Sequence, residues 1–144
     1  MPRVDFYILP EQGVRERFTC DIASKIHRQQ LELCIHTASK EEATALDDLL
    51  WTFKDISFLP HSLVDADNTD TITIGWEGMT ASPRAVLINL SSEVPEFAND
   101  FERIVEIVPP EAAYKQQARQ RYKQYREAGF ELHNHEIDST DVIN

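Results

Sequence analysis

Glycine is scarce in this 144-residue chain, and a phosphate-binding loop is hard to build without it. The four glycines, Gly13, Gly75, Gly78 and Gly129, form neither GxGxxG nor the P-loop pattern, and the connection after the first apolar segment (PEQGV) holds just one. A backbone cradle for a pyrophosphate needs several close-set glycines, so a nucleotide-dependent enzyme is only the runner-up reading. Cysteine is equally sparse. Cys20 and Cys34 lie in aliphatic surroundings without metal or redox spacing, and read as buried free thiols of a reducing cytoplasm. No run of about 18 apolar residues occurs, and the stretch Phe6–Leu9 is too short for a signal-peptide core. A cytoplasmic protein without a membrane span is the expectation. Positive charge is the last shortage: 14 basic residues against 25 acidic ones leave a net charge of −11. That field repels nucleic acid and anionic lipid at long range, although a local basic patch still acts within the screening length of about 10 Å.

What is present suits one globular domain over residues 1–144, with 42% hydrophobic and 27% charged residues, enough to bury a core. Arg3–Leu9 (RVDFYIL) predicts a strand stopped by Pro10. Glu16–Gln29 carries Phe18, Ile22, Ala23 and Ile26 at helical spacing. Leu31–Thr37 predicts a second strand, and Ser39 with Glu42 forms a capping-box pattern opening a helix to about Trp51, with Ala43, Leu46, Leu49 and Leu50 inward. Thr71–Gly75, Ala85–Leu90 and Glu102–Val108 read as strands, the last stopped by Pro109 and Pro110. Glu111–Ala128 predicts a long helix closed by Gly129. Phe130–His133 suggests a short terminal strand, and residues 136–144 a loose tail. Strands alternating with helices imply a three-layer, Rossmann-like α/β sandwich, a mainly parallel sheet flanked by helices and without a nucleotide-binding motif.

The search for chemistry yields no catalytic, cofactor or metal constellation. Residues 65–70 (DADNTD) begin like a calcium loop but lack glycine at the sixth position and glutamate at the twelfth, which is Trp76. His133 and His135 would share one face of a strand, yet no third ligand lies near in sequence, so they read as an incidental polar tail. His61, following Pro60, reads as a hydrogen-bonded loop residue, Ser91 and Ser92 lack a nucleophile elbow, and Asp47 with Asp48 reads as a solvated helix face.

Two segments stand out as interaction surfaces. Residues 114–126 (YKQQARQRYKQYR) hold Lys115, Arg119, Arg121, Lys123 and Arg126 and no acid, while the other nine basic residues face all 25 acidic ones. Lys115, Arg119, Tyr122 and Arg126 share a helix face. Two readings stand: a solvated helix whose tyrosines cover the core edge, or a site for an acidic ligand with an aromatic or apolar anchor. Residues 51–61 (WTFKDISFLPH) bring Trp51, Phe53 and Phe58 into an irregular stretch that suits either a core or a protein–protein hot spot.

With the FYIL strand, LDDLLW, SFLPH and above all YKQQARQRYKQYREAGF, the chain resembles, over nearly its whole length, the chi subunit family of bacterial DNA polymerase III holoenzyme. The resemblance implies a Rossmann-like fold without nucleotide chemistry and a non-catalytic adaptor with two partners. One is the psi subunit, which tethers it to the clamp loader, with Trp51 and Phe58 implicated. The other is the acidic, phenylalanine-ending tail of single-stranded DNA-binding protein, implicating Lys115, Arg119, Tyr122 and Lys123, with Val108 and Phe130 as apolar neighbours. An iron–sulfur helicase is implied as a competitor for the psi face in some bacteria; direct binding of nucleic acid is not. The acidic loop at residues 65–70 and the long acidic end (ELHNHEIDSTDVIN) depart from the family pattern.

Overall fold

The computed structural model describes residues 2–11, 13–52, 61–63, 72–76 and 85–137. In chain order these form β1 (Arg3–Ile8), α1 (Arg15–Arg28), β2 (Leu33–Thr37), α2 (Lys40–Thr52), β3 (His61–Leu63), β4 (Ile72–Trp76), β5 (Val86–Asn89), a 3₁₀ turn (Ala98–Asp100), β6 (Arg103–Val108), α3 (Ala112–Glu127) and β7 (Glu131–Glu136). The strands make one seven-stranded sheet, ordered β3-β4-β2-β5-β6-β1-β7, and every neighbouring pair is parallel. The predicted sandwich therefore stands, with a sheet that is wholly rather than mainly parallel among the described strands.

Handedness explains which layer each helix occupies. Right-handed crossovers that move opposite ways along a sheet must lie on opposite faces. The β1-to-β2 and β2-to-β3 connections run one way, so α1 and α2 share a face, where Phe18, Ile22, Ile26, Leu46 and Leu50 pack on Ile35, Ile74, Ile88 and Val105. The β6-to-β7 connection runs the other way, so α3 covers the opposite face, with Ala118 and Tyr125 on Val4, Phe6, Ile104 and Val108. Strands buried on both faces carry continuous apolar runs, as LCI in β2 and VLI in β5 do before the polar residues that end each fully buried strand.

The cap on α2 forms on one side only. Ser39 Oγ accepts the Glu42 N–H at 3.2 Å, but the Glu42 carboxylate, instead of capping back, accepts from Arg15 Nη2 at 3.1 Å and ties α2 to α1. Leu49 is half-buried and packs on the core from its margin. Cys20 and Cys34 are free and buried, and burial pushes the Cys20 thiol up to about 12, which makes it inert as a nucleophile.

Two expectations about histidines change. His61 opens β3, paired with Ile72, and is not a loop residue; three residues were too few to leave an alternating pattern. His133 and His135 belong to β7, which pairs with β1 along its whole length and extends beyond the expected Phe130–His133. His135 Nε2 lies 2.8 Å from Asp5 Oδ1, and its ring stacks on Tyr7 with centroids 4.8 Å apart. Among the described residues no group of three His, Cys, Asp or Glu is placed to hold a metal.

Asp5 is the polar anchor of this sheet edge. Its fully buried carboxylate accepts from Arg3 Nη2 at 2.9 Å and from Arg103 Nε at 3.1 Å as well as meeting His135. Burial raises its pKa, but the hydrogen bonds of Arg3 and His135 and the charge of Arg103 outweigh that and hold it below the ordinary 3.8. A carboxyl whose folded pKa is depressed stabilises the fold above its unfolded pKa, and the contribution drains away as pH falls through the folded value. Asp5→Asn is therefore expected to cost about 1–3 kcal/mol at neutral pH. Urea titrations should show that deficit closing as pH drops below 3.8.

Candidate functional site

The basic helix owes its position to its two ends and to one buried ion pair. At its start, Pro109 and Pro110 end β6, and Glu111, in extended conformation, passes its carbonyl to the Lys115 N–H at 3.1 Å. At its end, Gly129 takes φ 91°, its N–H bonding Arg126 O at 3.1 Å while Phe130 N–H bonds Tyr125 O at 3.1 Å. This is a Schellman cap, and its usual apolar contact between the residue after glycine and the last turn is made by Phe130 edge-on to Tyr125, centroids 5.2 Å apart. The GF of the REAGF run is thus a chain-reversal device that feeds β7 back alongside β1.

Between these ends, Arg121 is buried and not available to a ligand. Its Nε donates to Glu106 Oε1 at 2.9 Å and its Nη1 to Ser92 O at 3.0 Å. Glu106 Oε2 accepts from Tyr125 Oη at 2.7 Å and from Asn89 Nδ2 at 2.8 Å. Burial leaves the Glu106 carboxyl raised against the pull of Arg121's charge and of the bonds from Asn89, Tyr125 and Arg121. Burial, and then Glu106 itself, push the Tyr125 hydroxyl well up, so it stays a donor. The network bolts α3 to β5 and β6 and fixes the helix about its own axis.

With that rotation set, Lys115, Arg119 and Tyr122 overhang a groove of about 370 Å³. Ala118 lies at the bottom of the helix side, where its small side chain lets α3 approach the sheet; Phe6 and Ile8 of β1 and Val108 of β6 make an apolar floor; Asn134 and Glu136 of β7 close the far wall. Tyr122 is held against Phe6, ring centroids 5.3 Å apart. Lys115, Arg119, Lys123 and Arg126 are exposed, and none makes an ion pair among the described residues. Of the residues anticipated for the acidic tail, Lys115, Arg119, Tyr122 and Val108 meet here; Lys123 lies outside the groove lining, and Phe130 lines a separate depression beyond Tyr125.

The crevice over the carboxyl ends of β2, β5 and β6, where doubly wound folds hold nucleotides, encloses about 130 Å³. Small-molecule sites begin near 300 Å³. Arg15 fills its mouth, with Nη1 on Leu90 O at 3.2 Å and Nη2 on Glu42 at 3.1 Å. A Cβ on Gly13 would lie 2.7 Å from that of Leu9, so this glycine answers to a tight turn on the first strand.

The family model for the DNA polymerase III chi subunit, HolC, matches residues 1–133. The chain belongs to the DNA polymerase III chi subunit family. It is 36% identical over 139 residues to DNA polymerase III subunit chi of Pseudomonas aeruginosa, covering 95% of this chain and 98% of the relative. With the Haemophilus influenzae chi subunit it shares 38% identity over 132 residues, 88% and 92% of the two chains. With that of Escherichia coli the figures are 33% over 141 residues, 92% and 96%. Among solved structures, a chain in the complex of S. cerevisiae dbp5 with nup159, gle1, IP6 and ADP superposes with a TM-score of 0.63 at 10% identity, over 95% of this chain and 42% of that one. At that identity the likeness shows a shared Rossmann-like fold only.

Trp51, anticipated for a second surface, lies elsewhere on the molecule. Trp51, near the end of α2, is 53% exposed, and α2 packs beside β3 and β4 at one edge of the sheet, whereas the groove borders β7 at the other. Six inter-strand spacings of about 4.8 Å put those edges roughly 29 Å apart, and α2 and α3 lie on opposite faces. Phe53 and Phe58 fall outside the described residues. No helix among the described residues is long and apolar enough to cross a membrane.

Proposed function

We propose that this chi-family chain is a non-catalytic adaptor that couples the clamp loader, through psi, to single-stranded DNA-binding protein, and that the groove under α3 takes the latter's acidic, phenylalanine-ending tail. The observation that carries this reading is the pairing of unneutralised Lys115 and Arg119 with an apolar floor of Phe6, Ile8 and Val108. Such a groove attracts an acidic partner at short range, while the field of a chain of net charge −11 repels polyanionic nucleic acid at long range. Arg119 pairs with the tail's terminal carboxylate through its planar fork, Lys115 meets an upstream aspartate, and the phenylalanine ring rests between Tyr122 and Val108. Lys123 adds to the attraction from outside the groove, and Phe130 contributes through the helix cap.

The test is titration of a short acidic peptide ending in phenylalanine. Affinity is expected to fall several-fold between about 50 and 300 mM salt, and to be lost when the terminal phenylalanine is replaced by serine. Binding indifferent to both changes would sink the assignment.

The face around Trp51 receives psi, with Phe58 the other residue that the family resemblance implicates. A large exposed indole at the far sheet edge from the groove supports an adaptor whose two partners do not collide. Trp51→Ala should weaken psi binding by about 2 kcal/mol, roughly 30-fold, and leave peptide affinity unchanged. Equal loss at both sites would argue against two independent surfaces.

A further inference from the structure

We propose that the peptide site runs on past Lys115 into a second depression that rejects acid, where Glu11 and Glu136 limit how far a ligand's acidic run can extend; the proposal rests on reading the groove as an acidic-peptide site. The second depression encloses about 500 Å³ and shares Ile8, Lys115 and Glu136 with the groove. From β1 the groove draws Phe6 and Ile8, whereas the depression takes Ile8 and then Leu9, Pro10 and Glu11. The two therefore follow one another off the carboxyl end of that strand. A peptide whose terminal carboxylate meets Arg119 and whose upstream aspartate meets Lys115 is heading into the second.

The chemistry changes sign at Lys115. In the groove lining, Lys115 and Arg119 face one carboxylate, Glu136. In the depression Lys115 stands alone against two, Glu11 and Glu136, both exposed and neither in an ion pair among the described residues. The backbone does not make up the difference. Ile8 of β1 lies opposite Val108 of β6, and two residues further on each chain segment reaches a proline, Pro10 and Pro110, with no N–H to give. The Leu9 N–H is spent on Val108 O and the Ile137 N–H on Ile8 O, each at 2.9 Å. What faces a ligand is a pair of carboxylates beside proline rings, which suits an uncharged, hydrogen-bond-donating side chain such as glutamine and not an aspartate. The scale follows from the helix. Lys115 and Arg119 are one turn, about 6 Å, apart, the span of about two extended residues. Peptide positions from about the fourth before the end therefore lie past Lys115.

The experiment titrates acidic, phenylalanine-ending peptides, with glutamate exchanged for glutamine one position at a time, against the full chain and its Glu11→Lys variant. Glu11 lines the depression but not the groove, and at an exposed position the exchange leaves the fold intact. Near the peptide's end glutamine is expected to bind about 2–5-fold weaker than glutamate, the range of exposed charge pairs. From about the fourth position back the order reverses, with glutamine about 2–5-fold tighter. Glu11→Lys should restore the preference for glutamate at those upstream positions and leave the terminal ones as they were. Glutamate favoured at every position of the wild-type titrations, or a Glu11→Lys gain spread evenly along the peptide, overturns the second depression and leaves the groove standing. If no peptide binds, or binding ignores salt and the terminal phenylalanine, the functional reading fails and this proposal falls with it.

Discussion

Arg121→Ala is expected to cost the fold about 3–5 kcal/mol, the usual penalty for stranding one partner of a buried ion pair. The magnitude follows from where Glu106 sits. Its carboxylate is fully buried beneath α3, and without the guanidinium it keeps only Tyr125 and Asn89 as partners. The pH dependence distinguishes this cause from simple loss of packing. Removing Arg121 takes away the charge that opposes burial, so the folded carboxyl rises further above 4.5. A folded pKa raised above the unfolded one gives stability at low pH that is lost as pH rises through it. The deficit of Arg121→Ala should therefore grow as pH rises and shrink as pH falls through the raised Glu106 pKa. Paired replacement by apolar residues, Glu106→Leu with Arg121→Met, should recover most of the loss. A deficit independent of pH, or a double variant no better than the single, would show that the pair is not what holds α3.

The second large effect concerns binding. Arg119→Ala is expected to weaken the acidic, phenylalanine-ending peptide by at least 2 kcal/mol, about 30-fold, because a bidentate carboxylate partner over an apolar floor has no substitute nearby. Stability should stay within about 0.5 kcal/mol of wild type, as for surface positions in general, since Arg119 is exposed and makes no ion pair among the described residues. Arg126→Ala, which removes the same charge from outside the groove lining, should cost only a few-fold. Comparable losses from both would mean that the peptide senses the helix's net charge rather than a site.

The contrast between Arg119 and Arg121 shows how far residues alone carry the reading. In YKQQARQRYKQYR the two arginines are indistinguishable by type and separated by one residue. A helix rotates 100° per residue, so that spacing turns one toward the groove and the other toward the sheet. The missing clue was in another element. Glu106 interrupts the otherwise apolar, fully buried run IVEIV over residues 104–108 of β6, and a charge there requires a buried partner. Phe130 was open to the same correction, since an apolar residue directly after a helix-ending glycine is the usual partner of the last turn. Strand order was not legible at all. It depends on contacts between β1 and β7 at opposite ends of the chain, which no local pattern encodes, and β3 was too short to show a period. The central strands and all three helices were legible because apolar runs, prolines and the Gly129 stop act locally.

The placement of β1 between β6 and β7 has a consequence for biosynthesis. The first strand made cannot complete its pairing until the last has left the ribosome. Contacts so distant in sequence make folding slow relative to helical domains of equal size. A nascent or prematurely terminated chain carries the cations of α3 without the Asn134 and Glu136 wall opposite them. The groove is thus a late product of folding, and a partner that needs it discriminates finished molecules from fragments.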